Sequence, residues 1–65
     1  MDKHEKIKAA LVLLDTAREM IQQVDPHNLS IILATDDVDK AYQKLITYRG
    51  ALEWIEAVKG AGDAT

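Results

Sequence analysis

The sequence predicts an all-α fold: an antiparallel helical hairpin with a short connecting helix, dimerising into a helical bundle. Three observations predict it. Apolar residues recur at three- and four-residue spacing through two long segments, and the chain's one proline, Pro26, stands between them. A chain of 65 residues with no cysteine has no disulfide or thiolate-zinc site to reinforce a small core, which leaves association as the remedy.

The first helix is expected over 3–24. Asp2 precedes Glu5 by three residues, a variant of the capping box with Asp in the capping position. Ile7, Ala10, Leu11, Leu14, Ala17, Ile21 and Val24 then mark one helix face. Asp25 should end it, because the residue before a proline is pushed out of the α region.

A short second helix is expected over 26–34, with Asp25 as its N-cap and Pro26 in its first turn. The rival is a strand from Leu29 to Leu33, since Ile31 and Ile32 are β-branched, but one strand has no partner in this chain. The third helix is expected over 36–59. Thr35 would cap it, Asp36, Asp37 and Asp39 would complement its dipole, and Gly60 would stop it. Its stripe reads Val38, Ala41, Leu45, Tyr48, Leu52 and Ile55, with the tail "AGDAT" frayed.

Gly50 interrupts that helix in composition but not in phase, so the helix is expected to run through it. The alternative, Gly50 as a left-handed C-cap ending the helix near Arg49, stays open at this point. A mid-helix glycine costs about 1 kcal/mol relative to alanine, and its usual compensation is close approach by another element.

Face width carries the argument toward function. At about 100° per residue, the first helix is apolar over an arc of about 200°, from Ala9, Leu13 and Met20 round to Leu11, where one neighbour needs little more than about 100°. It must be covered on two sides. On the third helix Ile46, Gly50, Trp54, Ala57 and Val58 lie opposite the Leu45 and Leu52 stripe, so its C-terminal half is apolar on both faces.

Charge and motifs remove most other classes. Eight basic and eleven acidic residues give a net charge of -3, the wrong sign for neutralising phosphates. A helix-turn-helix would present Asp36, Asp37 and Asp39 to the groove, so nucleic acid is disfavoured. No apolar run approaches the roughly 20 residues of a membrane span, and the opening "MDKHEKIK" does not read as a secretory signal, so a cytoplasmic setting is expected. His4 and His27 lie on different segments and read as solvated. "TDDVD" lacks the glycine and closing glutamate of a calcium loop, and no phosphate-binding or nucleophile motif occurs. No catalytic residue, metal or cofactor is expected.

Binding residues remain. Tyr, Arg and Trp are enriched at interface hot spots, and Arg18, Tyr42, Ile46, Arg49, Gly50, Trp54 and Val58 are the candidates for a dimer interface or a protein-binding surface. In format, though by no motif, the chain is similar to the small all-helical proteins that phages and other mobile elements make to bind and inhibit a host protein. The expected function is therefore a non-enzymatic interaction module, self-associating and binding a protein target. The alternatives are a small DNA-associated regulator or antitoxin, and a purely structural self-assembly subunit.

Overall fold

The computed structural model describes residues 2–63, with side chains as far as Gly60. Two helices, α1 (Lys3–Val24) and α2 (Leu29–Asp63), pack against each other as an antiparallel hairpin. The start of α1 follows the local chemistry: Asp2 Oδ1 accepts from the Glu5 amide at 2.8 Å and the Asp2 carbonyl from the Lys6 amide at 3.0 Å. Those bonds satisfy amides that have no partner inside the helix.

The connection is tighter than expected. Asp25 leaves the helix in an extended conformation, as its place before Pro26 requires. Its carbonyl accepts from the Asn28 amide at 3.1 Å, closing a turn with Pro26 at the second position, where a fixed φ is favourable. Asn28, not Asp25, then caps α2: its Oδ1 accepts from the Ser30 amide at 2.9 Å and the Ile31 amide at 3.4 Å.

The separate short helix over 26–34 and the break at Thr35 are corrected, because α2 is one helix through both. Thr35 is 7% exposed, and its hydroxyl donates to the Ile31 carbonyl at 2.9 Å, so it is a satisfied core residue in mid-helix. Asp36, Asp37 and Asp39 accordingly do not sit at a helix start. The reason lies in phase. Ile31, Thr35, Val38, Tyr42, Leu45, Arg49 and Leu52 alternate four- and three-residue steps without a slip, and no glycine or proline interrupts them before Gly50. A continuous seam of that kind outweighs one favourable cap.

Gly50 is helical with no positive φ, as the unbroken phase predicts. Gly60 does not stop the helix, which continues to Asp63. The frayed tail is corrected over 61–63, which are helical, while Ala64 and Thr65 lie outside the described residues.

The matching seam on α1 is His4, Ile7, Leu11, Leu14, Arg18 and Ile21, also in three-and-four steps. Both seams are a coiled-coil pattern, so packing α1 on α2 covers one stripe per helix and nothing more. Among the described residues only Ile7 and Leu11 are buried apolar side chains. The hairpin measures 57 × 20 × 9 Å, one helix thick, and its radius of gyration of 16.3 Å exceeds the roughly 11 Å of a compact domain of this length.

Replacing Thr35 with valine tests the continuity of α2. The hydroxyl bonds only the Ile31 carbonyl, which lies one turn back in the same helix, so a valine leaves no buried donor unpaired and should leave thermal stability unchanged or raise it. A loss of about 2 kcal/mol in denaturant unfolding, together with a drop in helicity, would instead identify Thr35 as a helix cap.

Candidate protein-binding surfaces

A hairpin one layer thick has two broad sides, and here they differ in chemistry. The polar side carries shallow depressions between the helices, one lined by Asp15, Arg18, Asp39 and Tyr42, another by Leu11, Asp15, Tyr42 and Arg49. Arg18 occupies a seam position on α1, and its Nε meets Asp39 Oδ1 at 2.6 Å. That nitrogen is shielded from water, and the contact is out of line for an N–H hydrogen bond, so Asp39 answers it by charge. Both side chains are more than a third exposed, which places the pair in the weak, salt-screened class.

On the other side a shallow apolar groove runs between the helices. Ala10, Leu13, Leu14 and Ala17 of α1 face Ala41 and Leu45 of α2 across it, and Lys44 is the one charged residue in its lining. Leu13 is 69% exposed and Met20, one turn beyond Ala17, is 64% exposed. The sequence places Leu13 and Met20 on one edge of the roughly 200° arc of α1 and Ala10, Leu14 and Ala17 within it, but does not join them to Ala41 and Leu45 in a groove. The signal that marks them is a second three-and-four series parallel to the seam: Ala10, Leu13, Ala17, Met20 and Val24 on α1. On α2 Ala41, Tyr48 and Ile55 belong to this side too, not to the core stripe expected of them, and Tyr48 and Ile55 are exposed. Tyr42 and Arg49 take the seam places instead.

The candidate residues divide. Arg18, Tyr42, Ile46 and Arg49 are half-buried at the seam and its polar edge, while Gly50, Trp54 and Val58 are exposed. Tyr42, Ile46, Gly50, Trp54 and Val58 form one four-residue row of α2, and such a row winds about 40° further round the helix at each step. It leaves the seam at Tyr42 and reaches the outer face at Trp54, which is 67% exposed. Gly50 is a notch in this row. A Cβ built there meets nothing within 4 Å, so none of the described residues makes the close approach a mid-helix glycine permits.

The open end is tied by His4, whose Nε2 lies 3.0 and 2.9 Å from the two carboxylate oxygens of Glu56. His4 stays open to solvent, with 41% of its side chain exposed, but is paired across the hairpin, which its solvated reading did not include, and His27 is exposed. On α2, Lys40 pairs with Asp36 one turn before it at 3.0 Å, and that hydrogen bond holds the ammonium above its ordinary pKa. Among the described residues no three His, Asp or Glu side chains converge to hold a metal, and no helix is long and apolar enough to cross a membrane.

With this geometry in hand, comparison with known proteins adds no relative: no family model matches the chain, and neither curated proteins nor solved structures give a significant match.

A double-mutant cycle on Arg18→Met and Asp39→Asn measures the seam-edge pair. The coupling should lie below about 1 kcal/mol and shrink as salt rises from 0.05 to 0.5 M, as partly exposed pairs do. A salt-independent coupling of several kcal/mol would show a desolvated pair on which folding depends.

Proposed function

We propose that this chain is a non-enzymatic protein–protein interaction module, a homodimer whose hairpins form a helical bundle and whose remaining exposed surface binds and inhibits a protein target. One observation carries the reading. Among the described residues eleven large apolar ones, including Val12, Leu13, Met20, Trp54, Ile55 and Val58, keep about half or more of their surface exposed, while two apolar residues are buried. A hairpin so divided leaves many large apolar side chains uncovered.

Area supports it. The chain exposes 5209 Å², where a compact monomer of 7.2 kDa would expose about 4100 Å². The excess of about 1100 Å² is comparable to the roughly 800 Å² that each partner contributes to a standard interface. The acidic net charge of -3 fits a protein partner better than a phosphate backbone. In the target-binding role Trp54 is the anchor, since an exposed indole beside the Gly50 notch offers both a large contact and room for a close neighbour.

Two measurements test the reading. Sedimentation equilibrium should give a dimer mass, with a melting temperature that rises with protein concentration; a monomer with a concentration-independent melting temperature would refute self-association. Gly50→Ala should raise helicity, worth up to about 1 kcal/mol, while weakening capture of the target that wild-type bait retains, and Trp54→Ala should weaken the same capture without unfolding the hairpin. Capture by both variants equal to wild type would remove the Gly50 and Trp54 surface from the function.

A further inference from the structure

We infer that the occupant of the apolar groove is a second copy of this chain, packed groove to groove with its turn at the opposite end. In that four-helix bundle α1 lies against α1 and α2 against α2, each pair antiparallel. The inference rests on the self-association proposed above and assigns its face, symmetry and register.

The assignment starts from levels along the hairpin. Ala17 and Ala41 line the same groove, and the Arg18–Asp39 pair sits beside them, so Ala17 and Ala41 stand at one height. A two-fold axis at that height, in the plane of the interface and across the helices, sets up three matches at once. On α1, Leu13 lies four residues before Ala17 and Met20 three after, so Leu13 meets Met20 of the second copy. Ala10 meets Val24 in the same register, a small side chain against a larger one. On α2, Asp37 lies four residues before Ala41 and Lys44 three after, so Asp37 meets Lys44 of the second copy, and the symmetry makes the contact twice.

Charge is the discriminating observation. Asp37 and Lys44 are both exposed on the groove side, and neither makes an ion pair within the chain among the described residues, although Asp36 and Asp39 nearby do. A bundle with both turns at one end would set α2 against α1 of the second copy and leave this complementarity unused. The alanines at 10, 17 and 41 provide the close approach that helices need to interlock.

The register also says what stays uncovered. Rotation about the axis brings the second copy's α2 start opposite Leu52, so 53–63 of α2 and the first residues of α1 extend beyond it. Trp54, Ile55 and Val58, all exposed, fall on that free end. The dimer thus presents two equivalent apolar ends with Trp54 residues about 40 Å apart, at about 1.5 Å per residue. The groove holds the copies together and the free ends are left for a target.

Since the chain has no native cysteine, single thiols report the geometry directly. Ala41→Cys places a thiol beside the axis, and mild oxidation should yield a covalent dimer on a denaturing gel, with Val12→Cys on the opposite side as a control that stays monomeric. Asp37→Lys and Lys44→Asp should each weaken dimerisation about tenfold, and mixing the two should form a heterodimer that restores it. A dimer by sedimentation that shows neither the Ala41→Cys cross-link nor the charge-swap rescue would overturn this register while leaving self-association intact. A monomer in sedimentation would overturn both.

Discussion

Two helices laid side by side can bury only the stripe each turns toward the other, and the rest of this molecule follows from that limit. The seam of α1 holds Ile7 and Leu11 at 7% and 6% exposure, yet every residue one step off it is open to solvent on at least one side. In a two-layer domain those flanking positions would meet a second layer. Here the layer is 9 Å thick, so Leu13, Met20, Tyr48 and Ile55 face outward although they repeat with the same helical period as the core. Exposure on this scale is a property of the architecture and not of any single residue.

Polar seam residues set the order within that limit. Thr35 fills a core position without leaving its hydroxyl unpaired, because the Ile31 carbonyl one turn back accepts from it. Arg18 with Asp39 near the middle and His4 with Glu56 at the open end join the helices at two levels. Two partly exposed pairs add little stability. They do favour one register over a slip of one turn, which would leave Arg18 and His4 facing the wrong residues.

The helical class, the cap at Asp2, the end of α1 before Pro26 and the continuity through Gly50 were all legible, because each depends on local chemistry or on unbroken phase. Thr35 misled for a physical reason. A Thr followed by three carboxylates satisfies every local criterion of a helix start, and only the tertiary seam shows that its hydroxyl has a better use. Asn28 was missed because the Asp-Pro pair before it offered an equally good cap. On the binding side, the exposure of Trp54 and Val58 was readable from their phase on α2, while the placing of Tyr42 and Arg49 in the seam in preference to Tyr48 and Ile55 depended on where α1 lies. The groove of alanines and leucines was present in the sequence as excess arc width, but arc width does not say which residues of two helices share a side.

If a single layer cannot hold these helices alone, the protection of the seam must depend on the cover supplied by another molecule. Amide hydrogen exchange, followed by mass spectrometry at high concentration and again after serial dilution, reads this directly. Amides around Ile7, Leu11, Thr35 and Leu45 should lose protection together on dilution, with both helices opening as one unit. Protection in these segments that is strong and unchanged by dilution would show that the lone hairpin is a stable fold, and would contradict the dependence on a partner from which the function has been inferred.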